Sequence, residues 1–307
     1  MRYLAWLVGA SVVMLAGLIG FRFAASDRFG PDQSGLHGLT MNEPTDILFV
    51  GSSHTRQSYD ARQMEEALHR RVYLLAFNGL DPVGMVPVLR DIFGRKAKPR
   101  LCVIEVYSAT FGRPHAVQDS RLFFEADPAL KAALLQEFVR APRTEAKMLD
   151  AFSLLVNQGN ETIVAYPLNR LALRNLSYHG GYGDKFVPGI PPAEFGRLTL
   201  PLTPEITGDP EQVAAIRAIV AMAREAEVSV AFVESPLPGP VASMPGVRSL
   251  KKSLASELRD EEVPYLDGQV GFPEDDAALF ADNNHLSTQG RALFTRRVAA
   301  WLTAIEN

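Results

Sequence analysis

The feature that most constrains the fold is the order in which two hydrophobic patterns alternate along the chain. Asp46 to Val50, Val72 to Phe77, Arg100 to Val106, Val228 to Val233 and Pro264 to Asp267 are short, nearly continuous apolar runs. A strand covered on both faces needs no polar side, so it reads in this way. Helical patterns follow or separate these runs at 56–70, 83–95, 209–227, 247–261 and 287–304. Met64, Ala67 and Leu68 share one side of the first helix, and Asp209-Pro210 marks the start of the third. The order β-α-β-α-β, insertion, α-β-α-β-α predicts one parallel five-stranded sheet with helices on both faces. This is a three-layer α/β/α, flavodoxin-like domain over 45–307. The insertion, about 107–205, holds helical patterns near 128–140, 143–157 and 163–175, then a Gly/Pro/aromatic loop from Tyr178 to Pro201. We read it as a lid or substrate-facing wall.

Two segments precede the domain. Residues Tyr3 to Phe21 carry no charge and are mostly apolar. As a helix they would span about 28 Å, close to the hydrocarbon thickness of a bilayer. A cleavable signal peptide has a shorter apolar region, and Phe23 spoils the best small-residue frame at Ala24-Ala25-Ser26. Residues 1–25 are therefore read as an uncleaved transmembrane anchor and 26–44, rich in Gly, Pro and polar groups, as a linker. Arg2 lies before the span and Arg22 and Arg28 after it, so the positive-inside rule does not orient it. With a short N-terminal tail, the expected placement is single-pass in a bacterial inner membrane, the domain on the periplasmic or extracellular side.

Composition removes several function classes. The formal net charge of −4 offers no basic footprint for nucleic acid. The one cysteine, Cys102, lies in an apolar run and reads as a small buried hydrophobe. No His/Cys/Asp/Glu cluster has metal-ligand spacing. Gly180-Gly181-Tyr182-Gly183 follows no strand and lacks the lysine of a phosphate loop. No cofactor is expected.

The chemistry is expected beyond the carboxyl ends of the strands, where open parallel sheets bind ligands. Two segments place reactive side chains there. Gly51-Ser52-Ser53-His54-Thr55 follows the first strand. A serine at such a turn is exposed above the sheet, and Gly51 permits a sharp bend. The same residues also suit an ordinary helix N-cap. Asp282-Asn283-Asn284-His285-Leu286-Ser287 precedes the last helix. A carboxylate three residues before an imidazole can hold one ring nitrogen while the other takes a proton from a serine. It could equally be a polar loop, with Asp282 capping backbone and Ser287 capping the final helix.

Taken together, these blocks resemble the SGNH/GDSL hydrolase superfamily, in which Gly-Asp-Ser follows strand one and Asp-x-x-His precedes the final helix. Gly51-Ser52-Ser53 carries Ser52 in place of the aspartate, and Asp282 to His285 match the last block. The Gly-Ser-Ser form is similar to a membrane-anchored branch that includes cell-surface polymer acyltransferases. The resemblance covers about 45–106 and 209–305. It implies Ser53 as nucleophile, His285 as base and Asp282 as its orienter. It also implies an oxyanion donor after strand two, at Gly79 or Gly84, with Asn78 orienting the loop; a plain Asn-Gly turn is the alternative there. The family's third block places an asparagine after strand three. Here that region reads Val106-Tyr107-Ser108-Ala109-Thr110-Phe111, so one donor is missing or supplied otherwise.

The expected activity is a serine-dependent acyl-ester hydrolase or O-acyltransferase acting on a cell-envelope glycan or similar acyl ester. A catalytically decayed, membrane-tethered binding or scaffold module working with envelope-assembly proteins is the alternative. Among other residues, His54 is expected to be an exposed helix-start residue. His115 and His179 are weak pocket candidates, and Tyr178, Tyr182 and Phe186 are read as core or loop packing in preference to sugar stacking.

Overall fold

The computed structural model describes residues 35–41, 43–113, 128–140, 179–181, 185–203 and 206–306, single residues at 119, 122 and 126, and parts of a helix within 3–17. The helices expected at 143–157 and 163–175, with His115, Tyr178 and Tyr182, lie outside these residues. Among the described residues no helix is long and apolar enough to cross a membrane. Most of the apolar stretch from Tyr3 to Phe21 lies outside them.

Five strands form the sheet: β1 (Ile47–Gly51), β2 (Val72–Ala76), β3 (Leu101–Glu105), β4 (Ser229–Glu234) and β5 (Tyr265–Asp267). All neighbours are parallel, in the order β2-β1-β3-β4-β5. Every residue of β1, β2 and β3 is buried, as the continuous apolar runs require. Side chains alternate between two cores. Leu48, Val50, Tyr73, Leu75, Cys102, Ile104 and Phe232 join one cluster; Ile47, Phe49, Val72, Leu74, Leu101, Val103 and Val233 join the other. Cys102 is fully buried, as expected, and burial pushes its thiol pKa up.

Twelve further elements complete the description: α1 (Gly35–Met41), α2 (Ser53–Ser58), α3 (Ala61–Leu68), α4 (Pro82–Gly94), α5 (Ser108–Phe111), α6 (Pro128–Arg140), α7 (Pro192–Phe195), α8 (Pro210–Glu225), α9 (Gly239–Ala242), α10 (Pro245–Asp260), a 3-10 turn (Ala277–Leu279) and α11 (Thr288–Glu306). Helices α1, α4, α6, α8 and α10 supply the first cluster, and α3 and α11 the second. The helix expected over 56–70 is two helices, because Asp60 caps a fresh start at Ala61 by accepting from the Gln63 N–H.

The linker expected over 26–44 is corrected for its last third. Leu36 and Leu39, one helical turn apart, are buried in the core, and the Tyr73 hydroxyl donates to the Gly35 carbonyl at 2.8 Å. Burial of that apolar pair decides the matter against the polar composition around it. The insertion also docks closely at its described ends. Leu130 and Leu134 of α6 enter the first core, and the Leu74 N–H donates to the His179 carbonyl at the edge of β2.

Candidate active site

Strand register sets the site. Gly51 pairs with Ala76, Val50 with Ile104, Glu105 with Val233 and Glu234 with Asp267, so the carboxyl ends of all five strands open on one side. β1 ends at Gly51, where no side chain fits. A Cβ there would lie 2.2 Å from Thr55 Oγ1 and 2.7 Å from Glu105 Cβ. The chain turns at once into α2. Ser52 is the N-cap, its hydroxyl accepting from the His54 N–H at 3.3 Å. The capping role expected as the alternative for this segment falls to Ser52, not to Ser53.

Ser53 Oγ lies 2.8 Å from His285 Nε2. His285 Nδ1 lies 2.8 Å from Asp282 Oδ2 and 3.0 Å from Oδ1. With Asp282 on the Nδ1 side, Nε2 is left to accept the Ser53 proton. The Asp282 carboxylate also accepts from the N–H groups of Asn284 and His285, each at 2.9 Å. Burial pushes its pKa up, but the His285 ring and these two N–H groups outweigh that and hold it below the ordinary carboxylate value. The loop is pinned from below: the Ala281 N–H donates to the His285 carbonyl, and Ser287 bonds Ala278 while capping α11. Helix α11 is tied to the segment after Ser53 by the Asp60 N–H, which donates to Thr295 Oγ1.

The loop after β2 leaves the sheet beside Ser53, its Phe77 N–H donating to the Gly51 carbonyl. Gly79 sits at φ +64°, a conformation that favours glycine, in a turn closed by Leu80 N–H to Phe77 carbonyl. The N–H groups of Ser53 and Gly79 have no hydrogen-bond partner among the described residues. The other two candidates are engaged elsewhere. The Asn78 N–H donates to Asp119 Oδ2 at 2.8 Å, and the Gly84 N–H donates to Asp81 Oδ1 at 2.9 Å inside the cap of α4. Asp81, held in turn by Gln212 Nε2 at 3.0 Å, is what fixes this loop.

Several residues near the site escape a reading of the chain alone. His54 is corrected: it is 2% exposed, stacked on Tyr107 with ring centroids 4.1 Å apart and tilted against His285 at 5.0 Å. Burial, reinforced by neighbouring His285, lowers its pKa from 6.5 to about 3, so the ring is neutral. Beneath lie two buried carboxylates in reciprocal positions. Glu105, ending β3, accepts from the Ser235 N–H beyond β4; Glu234, ending β4, accepts from the Ser108 N–H beyond β3. Tyr59 donates to Glu105, Tyr265 to Glu234, and Lys251 lies 3.4 Å from Glu234 and 3.0 Å from Asp267. Burial raises the Glu105 pKa to about 7. The signal for this pair was an acidic residue closing each of two apolar strands.

The remaining candidates fall away from the relay. His179 Nδ1 lies 3.0 Å from Glu65 Oε1, beside β2. Phe186 is 74% exposed and so does not pack as expected. Beside Asp282 is a cleft of about 570 Å³, walled by Pro188, Ile190, Arg197, Leu198, Thr199 and Asn283. Among the described residues no group of three or more potential ligands could hold a metal ion.

No family model matches the chain, and no curated protein matches it. Among solved structures it is similar to the lipase/acylhydrolase from Enterococcus faecalis, at 12% identity and TM-score 0.40, over 84% of this chain and 95% of that one. It is also similar to AlinE4, an SGNH-hydrolase family esterase, at 9% and 0.36, over 85% and 96%. A catalytic mutant of Axe2, an acetylxylan esterase from Geobacillus stearothermophilus, matches at 11% and 0.39, over 83% and 92%. Likeness at this level leaves the chemistry to be read from the side chains.

Proposed function

We propose that the chain is a serine-dependent acyl-ester enzyme of the SGNH/GDSL type, with Ser53 as nucleophile, His285 as general base and Asp282 as the group that orients it. The observation that carries this reading is the relay itself, Ser53 Oγ 2.8 Å from His285 Nε2 with Asp282 behind the ring.

Ser53 Oγ attacks the ester carbonyl as His285 Nε2 takes its proton. The N–H groups of Ser53 and Gly79 face the oxyanion, the interaction in acyl transfer that rewards the transition state over the ground state. Collapse expels the alkoxide, which leaves with the proton from His285 and an acyl-Ser53 behind. Water, deprotonated by His285, then attacks the acyl carbonyl, and His285 returns the proton to Ser53 Oγ as the acid leaves; a carbohydrate hydroxyl entering in its place receives the acyl group instead.

The natural acyl carrier or acceptor in this proposal is a cell-envelope glycan or similar acyl ester. The half-polar cleft beside Asp282 is compatible with such a ligand. Residues 3–21 would anchor the enzyme in a bacterial inner membrane with the domain outside the cytoplasm. Tyr3, Trp6, Val12, Val13 and Met14 present exposed apolar side chains in that stretch. The alternative, a decayed scaffold module for envelope-assembly proteins, is favoured by the missing asparagine at Tyr107-Ser108 and opposed by the aligned relay.

The test is hydrolysis of p-nitrophenyl acetate by wild type and Ser53→Ala, with and without an oligosaccharide acceptor. Release of p-nitrophenol by wild type alone supports the enzyme, and acetylated oligosaccharide identifies the transferase. No release above Ser53→Ala in either condition would favour the scaffold.

A further inference from the structure

The side chain that the relay leaves unexplained is His54. It follows the nucleophile directly, is 2% exposed, and its Nε2 is buried without a hydrogen-bond partner. With no hydrogen bond at Nε2, the place of the ring is set by its shape and the side chains packed against it. Its surroundings give the residue a direction. One face meets Tyr107, from the loop after β3, at 4.1 Å between centroids and 29° between planes; beyond it stands His285, from the loop before α11, at 5.0 Å and 39°. The charged groups acting on the ring are His285 and Asp282, and Tyr107 stacks on it.

Tyr107 is itself held. The next residue, Ser108, donates its N–H to the buried Glu234 carboxylate, and the Tyr107 ring is 8% exposed. A chain of contacts thus runs from the sheet floor through Glu234, Ser108 and Tyr107 to His54 and so to the ring of His285. This is the loop in which the resemblance calls for an asparagine.

We infer that His54 is a positioning residue, whose ring, wedged by Tyr107, backs the His285 imidazole and keeps Nε2 aimed at Ser53 and Nδ1 at Asp282. It rests on the proposed role of His285 as base. The ring must be neutral, because a charge there would oppose the imidazolium formed when Ser53 gives up its proton. It does not touch the reacting atoms. Its effect is on orientation, and loosening a base by a fraction of an ångström is felt in kcat before KM.

The experiment compares His54→Leu, His54→Phe and Tyr107→Leu with wild type, each checked for folding by its thermal transition. Two quantities are read: kcat and KM for p-nitrophenyl acetate, and the downfield proton resonance of the His285 Nδ1–H···Asp282 bond, which needs no turnover. His54→Leu is expected to lose about 10- to 100-fold in kcat with KM within about twofold, and to broaden the resonance. His54→Phe restores a flat ring and keeps the resonance, with kcat within about fivefold of wild type. Tyr107→Leu falls between. If His54→Leu does not fold, Tyr107→Leu against His54→Phe decides by the same two readouts. A folded His54→Leu, or in its absence Tyr107→Leu, with wild-type kcat and resonance overturns the inference. So does a folded His54→Phe that loses both. Should wild type itself hydrolyse nothing, the proposed function fails, while the resonance still reports whether His54 holds His285.

Discussion

Two carboxylates, Asp282 in the loop before α11 and Glu105 at the end of β3, are driven in opposite directions. Asp282, at the rim, is half exposed, and its pKa is held below the ordinary value by the His285 ring and two backbone N–H groups. Glu105, in the floor, is fully buried and pushed up to about 7 by loss of water, despite donors from Tyr59 and Ser235. The same contrast divides the histidines: His285 sits between partners at the rim, and His54 is buried and neutral behind it. The difference teaches where each region's work lies. The rim, in the proposed reaction, supplies the charge and the proton that change. The floor holds Glu105, whose ionisation is opposed by burial.

The sharpest way to break this contrast is at the rim. Ser53→Ala should lower kcat for an acyl ester by at least about 10⁴-fold, leaving a folded protein. Asp282→Asn should follow, with about 100- to 10,000-fold lost, because the amide can hold His285 in the wrong tautomer. Steady-state kinetics of the two purified variants check both numbers. Equal activity in Asp282→Asn and wild type would remove Asp282 from the relay.

In the floor the effects should appear in stability. The folded-state pKa of Glu105 lies above its ordinary value of 4.5, so the native state holds a proton that the unfolded chain has released. Below 4.5 there is no penalty; stability then falls as pH rises through about 7. Glu105→Gln should erase this slope, a relative gain of up to about 3 kcal/mol at pH 8 less the charged hydrogen bonds it gives up. Denaturant melts across pH 4 to 8 would reveal it, and a slope unchanged in the variant would refute the account of the floor. His54 has the opposite sign. Its folded-state pKa is depressed from 6.5 to about 3, so the unfolded chain binds the extra proton and stability falls as pH drops below 6.5. His54→Phe should therefore resist acid better than wild type, by about 2 kcal/mol at pH 5 and not at all at pH 8. A parallel pair of melting curves at those two pH values would contradict this.

The parts of this picture that were legible in the chain are those set by local pattern. β1, β2 and β3 announce themselves because both faces are buried and their runs are almost wholly apolar. Asp282 and His285 could be paired on sight, since three residues separate them in one loop. Whether Ser53 meets a base or only begins a helix is not local, for it depends on His285, 232 residues away. His54 reads as exposed in the chain because Tyr107 and His285, whose rings pack near it, arrive from two distant loops. Leu36 and Leu39 were hidden in a polar stretch whose composition said linker. Glu105 and Glu234 carry no local signal of their pairing, because only the register of the neighbouring strand brings each to the other's following loop.

The central claim, that Ser53 is a nucleophile primed by His285, is tested most directly by reacting the protein with a fluorophosphonate and mapping the adduct by mass spectrometry. The account predicts one phosphonylated peptide spanning Ser53 in wild type, none in Ser53→Ala, and strongly slowed labelling in His285→Ala. Labelling that persists unchanged in Ser53→Ala, or a wild-type Ser53 that never reacts, would contradict it.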